Sequence, residues 1–408
     1  MNLYIGIDVS KNKLDYCALN SDQDILNQDE VINSQIGANT IKEVILRLAR
    51  LTSFDNIVIG LEATSVYDIH PAMFFQLDED LNQLPLSVTT LNPKYTYRFS
   101  QLFDDDKTDQ NDALHIADYL RMEHYQTPVL RQEEYLALQR LTRERFHIVG
   151  QITDCKHHFL NNLFYKLNRA EAELPTSVFG SAMMEVLTNR YSLDEISETP
   201  LEVLAADLNN LSHGRFGNAE EIAKALKRAV RNSYRLDKVM EDSVDVVLGM
   251  YADEIKMLSK QLKLLDKSIE RICVAIPEVK PLLSIPGIGK IYAAGIIAEL
   301  GQINRFKNEA QIAGYAGLTW RRSQSGESER QTTPLTHNGN QYLRYYLVEA
   351  ANMVRINEPV FANYYKKKYS EVPKYQHRRA IVLSARKLIR LVYTLTTKHQ
   401  LYQSPKMV

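Results

Sequence analysis

Tyr251, Ile255, Leu258, Leu262, Leu265, Ile269, Ile272 and Ile276 follow one another at intervals of 4, 3, 4, 3, 4, 3 and 4. An unbroken a/d stripe of this kind restricts the segment to a long helix whose apolar seam another helix must cover. Leu138, Leu141, Ile148, Ile152, Cys155 and Phe159 keep the same register, with Arg145 at one seam position. Two long helices are therefore predicted over roughly 132–169 and 238–276, paired with each other or with another subunit. Between them Pro175, Gly180, Pro200, Gly214 and Gly217 interrupt short helical stretches, which reads as an inserted cap. This coiled-coil middle is scaffold with no chemistry of its own.

The segments on either side read differently. Leu3–Asp8 and Lys13–Leu19 form apolar strands around the turn-like Ser10-Lys11-Asn12, and Ile41–Leu51 has helical spacing. Asn56–Leu61 and Leu86–Leu91 read as further strands, with helices over Val66–Leu77 and Asp109–Met122. A hairpin followed by alternating helices and strands predicts a mixed α/β sheet covered by helices. The expected organisation of the 408 residues is an α/β domain over 1–128, a helical domain over 129–280 and a mostly α domain over 281–408.

The net charge of −1 conceals a strong asymmetry. Pro286–Val408 carries 19 Lys and Arg against 7 Asp and Glu, while the first 285 residues carry 30 against 43. A basic last third on an acidic body points to a polyanionic partner. No apolar run approaches the roughly 18 residues of a membrane span, and Met1–Ile7 enters a strand directly, without a signal peptide. Cys17, Cys155 and Cys273 lie far apart, which excludes a disulfide framework or zinc knuckle and fits buried thiols in a reducing cytoplasm.

Four carboxylates carry the strongest chemical signal. Asp8 ends the first strand and Glu62 ends Ile57-Val58-Ile59-Gly60-Leu61, the place where α/β sheets put their active sites. Asp109 and Asp112 are three apart at the start of a helix and project from one face. Singly, each has a structural reading: acids in a first turn suit the helix dipole, and Asp109 suits a cap. As a set they offer the oxygen ligands that Mg²⁺ or Mn²⁺ prefers in phosphodiester chemistry.

The segments Gly6-Ile7-Asp8-Val9-Ser10-Lys11, Gly60-Leu61-Glu62-Ala63-Thr64 and Lys107-Thr108-Asp109-Gln110-Asn111-Asp112-Ala113 resemble the DEDD motif of the bacterial insertion-sequence one-ten (IS110) transposases. The resemblance follows the order of elements across nearly the whole chain. It implies a RuvC-like RNase H fold for the first domain, with Asp8, Glu62, Asp109 and Asp112 as catalytic metal ligands. It also implies a recombinase guided by a bridge RNA, acting on DNA as a dimer or tetramer in the bacterial cytoplasm at the nucleoid.

In the last third, Leu283-Ser284-Ile285-Pro286-Gly287-Ile288-Gly289-Lys290 before an apolar helix reads as a helix-hairpin-helix element. Gly287 and Gly289 would leave backbone N–H groups facing a phosphate beside Lys290, and an ordinary helical connection is the alternative. Ala316-Gly317-Leu318-Thr319-Trp320-Arg321-Arg322-Ser323-Gln324-Ser325-Gly326 then places serines beside arginines. From the residues alone this reads as a surface loop, since a serine with no paired base is a poor nucleophile. The resemblance assigns the nucleophile of the transposase domain to Ser325, with Ser323 as the lesser candidate. Where many relatives have Pro, this chain has Trp320.

Arg321 and Arg322 become phosphate contacts on this reading. So does Arg344 in His337-Asn338-Gly339-Asn340-Gln341-Tyr342-Leu343-Arg344. The tail interleaves Lys366, Lys367, Lys368, Lys374, Arg378 and Arg379 with Tyr364, Tyr365, Tyr369 and Tyr375, which suits phosphate clamping and base stacking. Two rivals remain on sequence grounds: a RuvC-like nuclease using water and metal without a covalent step, and a non-enzymatic nucleic-acid scaffold.

Overall fold

The computed structural model describes residues 1–64, 66–91, 93–103, 108–123, 133–320, 324–325, 328–329, 335 and 339–404. The chain divides into two compact units: Met1–Tyr135 with Leu300–Gly314 and Thr396–Lys398, and the remainder.

The first unit is built on five strands, β1 (Asn2–Val9), β2 (Lys13–Asn20), β3 (Ile25–Ile32), β4 (Asn56–Glu62) and β5 (Leu86–Leu91), in the order β3-β2-β1-β4-β5. The first three are antiparallel neighbours, and β4 and β5 extend the sheet parallel to β1. Leu3, Ile5, Ile7 and Val9 alternate onto one face of β1, where they pack with Ile41 and Ile45 of α1 (Gln35–Leu51) and Phe75 of α2 (Ile69–Leu77). The opposite face meets α4 (Asp109–Arg121), which follows the short α3 (Pro93–Ser100), through Tyr4, Ile116 and Leu120.

Two elements of this unit escape the periodicity reading. The edge strand β3 reads Ile-Leu-Asn-Gln-Asp-Glu-Val-Ile and is largely exposed, so it shows no apolar alternation. α3 is a short polar helix. The helix expected from Val66 starts three residues later, at Ile69.

The second unit contains the two long helices, α5 (Glu133–Lys166) and α11 (Lys238–Cys273), close to the expected limits. They run antiparallel within one chain. Arg145 pairs with Asp266 at 2.6 Å, His158 stacks on Tyr251 at 5.3 Å, and Lys166 pairs with Asp245 at 2.7 Å. Ile148, Ile152, Cys155 and Phe159 bury against Leu248, Ile255 and Leu258, joined by the short helices of the intervening cap: α6 (Ala170–Glu173), α7 (Ser181–Glu185), α8 (Leu193–Glu198), α9 (Leu201–Leu211) and α10 (Ala219–Asn232). Leu262 and Leu265 pack on the same core, and Ile269 is fully buried. The seam is thus packed within the chain, fully at Ile255, Leu258 and Ile269 and partly at Leu262, Leu265 and Ile272.

The unit continues through α12 (Val279–Leu283), α13 (Lys290–Leu300), α14 (Glu309–Tyr315), the two-residue strands β6 (Gln324–Ser325) and β7 (Ser328–Glu329), α15 (Gln341–Asn357), α16 (Pro359–Ser370) and α17 (Gln376–Lys398), apart from the stretches that belong to the first unit. All three cysteines are free and buried. Among the described residues no helix is long and apolar enough to cross a membrane.

Candidate functional site

The acidic face of the sheet follows from register. Asp8 stands opposite Asp15 on β2, and Glu62 is one step beyond the last β1–β4 pair, Ile7 with Leu61. Side chains two residues apart share a face, so Asp8 lies on the side of Gly6. A Cβ at Gly6 would meet the Ala113 carbonyl and the Ala117 amide at 2.3 Å. The absence of a side chain at Gly6 therefore lets α4 lie directly on β1. One helical turn before Ala113 comes Asp109, which brings the start of α4 over Asp8.

Asp8, Asp109 and Asp112 each present an oxygen, and these atoms all lie within 4.8 Å of one another. Glu62 stands beside this trio, its Oε2 accepting a 2.6 Å hydrogen bond from the Thr96 hydroxyl of α3. Burial first, then repulsion from Glu62, Asp112, Asp109 and Asp15, push the Asp8 carboxyl up to about 6. Crowded carboxylates of this kind fit a divalent cation, because the donors are hard oxygens and their mutual repulsion is what a cation relieves. Thr108, not Asp109, caps α4: its side chain accepts from the Asn111 amide.

Sequence reasoning missed two residues here. Asp15 is almost fully buried, and burial raises its carboxyl above the usual range. Lys13 reaches Asp109 at 2.8 Å, Asp15 at 3.2 Å and Glu30 at 3.2 Å, and these hydrogen bonds, led by Asp109, hold its ammonium above the ordinary range. The signal was available: the Ser10–Asn12 turn fixes a register that aligns residue 15 with residue 8.

The last third places its candidates unevenly. Gly287 adopts φ +95°, and a Cβ there would meet the Met353 carbonyl at 2.7 Å, so its glycine serves close packing on α15. Gly289 has open space around its Cβ position, and the neighbouring Lys290 pairs with Glu270 at 3.0 Å. Arg344 is half-buried and donates to the Ala316 carbonyl at 3.1 Å. Ser325 pairs with Ser328 across the β6–β7 hairpin. Lys107, Arg321, Arg322, Ser323 and Gly326 lie outside the described residues. On α16, Lys366 and Lys367 are exposed, whereas Lys368 pairs with Glu371 at 2.7 Å.

A transposase model of the DEDD type, IS110 group, matches residues 5–164, and one described as the IS116/IS110/IS902 transposase family matches 279–366. Together they cover more than half of the chain. The chain belongs to the IS110/IS116/IS902 transposase family.

Among similar proteins is the pilin gene-inverting protein of Moraxella bovis, 25% identical over 191 residues, 45% of this chain and 59% of that protein. The chain thus spans about three fifths of the length of the pilin-inverting relatives it matches. An uncharacterized 42 kDa protein of insertion element IS900 from Mycobacterium paratuberculosis is 24% identical over 298 residues, 72% of this chain and 73% of that protein. An uncharacterized 43.6 kDa protein of insertion element IS110 from Streptomyces coelicolor is 25% identical over 163 residues, 40% of this chain and 39% of that protein. The first family match takes in all four acids of the candidate centre, and the second takes in Ser325, Arg344 and, at its last residue, Lys366 of α16.

Proposed function

We propose that this family member is a DNA transposase of an insertion sequence, cutting and rejoining strands through a carboxylate-bound metal and a serine nucleophile. The observation that carries the reading is the meeting of Asp8, Asp109 and Asp112 within 4.8 Å beside Glu62. Three or four oxygens on one strand-end face form a hard donor set, which suits Mg²⁺ or Mn²⁺. When bound, such a cation supplies Lewis-acid polarisation of a phosphoryl oxygen. On this reading the five-stranded unit is a RuvC-like RNase H domain, the α5–α11 pair a coiled-coil arm, and the serine-bearing domain begins near residue 281.

Ser325 Oγ attacks phosphorus as the P–O3′ bond breaks, and the serine proton ends on the departing 3′ oxygen. The product is a 5′-phosphoserine linkage that a second strand's 3′-hydroxyl reverses. Arg321, Arg322 and Arg344 are assigned to the phosphate, where positive charge stabilises the developing oxyanion. Gly289, Lys290, Lys366 and Lys367 are assigned to backbone contacts, which position nucleic acid without reading its sequence. Target choice is assigned to a guide RNA, and the acting species to a dimer or tetramer at the bacterial nucleoid.

The test is covalent trapping on nicked DNA with guide RNA and Mg²⁺. Wild type and Ser323→Ala should yield a denaturant-resistant protein–DNA adduct, and Ser325→Ala none. Cleavage that persists in Ser325→Ala without any adduct would make the chain a water-dependent nuclease.

A further inference from the structure

Glu299, in the last turn of α13, is completely buried. A buried carboxylate is costly unless fully paired, and this one is saturated. Arg143 of α5 holds it through Nε to Oε1 at 2.7 Å and Nη2 to Oε2 at 2.9 Å, while Gln139 donates to Oε2 at 3.0 Å. The fourth contact is the informative one: Asn340 Nδ2 donates to Oε2 at 2.6 Å.

Asn340 spends every polar atom named here on one junction. Its Oδ1 accepts from the Tyr342 and Leu343 amides at 3.0 Å, capping α15. Its amide also reaches the Tyr315 hydroxyl at 3.1 Å, and its backbone N–H donates to the Tyr315 carbonyl at 2.6 Å. Beside it, a Cβ at Gly339 would meet the Gly317 nitrogen and Tyr315 oxygen at 2.5 Å. The chain therefore leaves at Gly317 and returns at Gly339 through direct backbone contact, and the segment closed by that neck carries Ser325.

We propose that Glu299 is a positioning residue for Ser325, acting through Asn340 and Arg143 to fix the neck from which the serine is presented. This rests on the serine reading given above. A small misplacement of a reacting group is enough to cost orders of magnitude in rate. In Glu299→Gln an amide NH₂ must face the donors of Arg143, Gln139 or Asn340, so the neck loosens while its volume is kept. Asn340→Ser keeps a capping oxygen for α15 but is too short to reach Glu299. Combining Glu299→Gln with Asn340→Asp restores an acceptor opposite the new amide and a negative charge near Arg143.

The experiment compares single-turnover adduct formation on nicked DNA with nucleic-acid affinity and thermal unfolding. Expected is a loss of about 10- to 100-fold in adduct rate for Glu299→Gln and Asn340→Ser, with affinity unchanged and the protein, though lowered in melting temperature, still folded at the assay temperature, and substantial recovery in the double variant. Wild-type rate in Glu299→Gln while wild type forms adduct overturns the positioning role and leaves the serine reading intact. If Glu299→Gln fails to fold, a folded Asn340→Ser with wild-type rate overturns it equally. Absence of adduct from the wild type overturns the serine reading and this role with it.

Discussion

Lys13 Nζ lies 2.8 Å from Asp109 Oδ2, so the carboxylate that opens α4 is tied to the hairpin strand beside Asp8. An ammonium in this place competes with a divalent cation for the same oxygen. Lys13→Met should therefore tighten Mg²⁺ or Mn²⁺ binding, by something on the order of tenfold for one partly screened charge. Calorimetric titration checks it. Unchanged or weaker binding would mean that Lys13 matters more for holding Asp109 in place than for its charge.

Asp8→Asn should abolish strand cleavage while leaving nucleic-acid affinity intact, since the amide keeps the shape and loses the charge. The same change should reshape the pH dependence of stability in chelator-treated protein. The Asp8 carboxyl rises from 3.8 to about 6 on folding, so the folded state binds this proton more tightly than the unfolded one. Its effect on stability is absent below about pH 4, becomes increasingly destabilising as pH rises from about 4 to 6, and levels off above that. Thermal unfolding from pH 4 to 7 should show this decline in wild type and a weaker one in Asp8→Asn, where Asp15 still contributes in the same direction. Saturating Mg²⁺ should flatten the wild-type curve. Parallel curves for the two proteins would contradict the assignment.

Gly6→Ala should be among the most damaging single-methyl changes in the chain. The added carbon meets two backbone atoms of α4 at 2.3 Å, and neither can rotate away as a side chain would. A loss of roughly 2–3 kcal/mol is expected in denaturant unfolding, with weaker cation binding because α4 carries Asp109 and Asp112. Gly150→Ala is the control. Nothing lies within 4 Å of its Cβ position in α5, and there alanine should stabilise by about 0.5–1 kcal/mol. Similar effects at the two positions would undo the close-approach account.

What the sequence revealed here followed burial. Strands Asn2–Val9 and Asn56–Glu62 and the α5–α11 seam were legible because their apolar periods run on, broken in the seam only at Arg145, and Asp8 and Glu62 were conspicuous as acids at apolar strand ends. β3 was not legible, because an exposed edge strand needs no apolar face. Asp15 and Lys13 were missed because their place depends on a register across a turn. In the stretch from His337 to Arg344 only Arg344 stood out in the sequence, yet the described contacts of Gly339-Asn340 stitch α15 to Tyr315 and Glu299. Long-range partners of that kind, some 40 residues away in the chain, leave no local trace.

The three consecutive lysines of α16 look equivalent in sequence, and the structure separates them. Lys366 and Lys367 point into solvent, while Lys368 is half-buried, paired with Glu371 at 2.7 Å and 5.7 Å from the Tyr364 ring. A lysine that neutralises a phosphate releases a counterion, so its removal lowers the slope of log affinity against log salt by about one. Lys368 already has an anionic partner, and Glu371 is shared with Arg379 at 2.9 Å. Binding by Lys368 would first require breaking that pair, which offsets much of the gain. Lys366→Ala and Lys367→Ala should each flatten the salt dependence by about one unit, uniformly across DNA sequences, and Lys368→Ala by clearly less. Fluorescence anisotropy from about 50 to 200 mM salt reads the slopes directly. Three equal decrements would show that the Glu371 pair opens freely on binding, and three null results would remove α16 from the nucleic-acid surface.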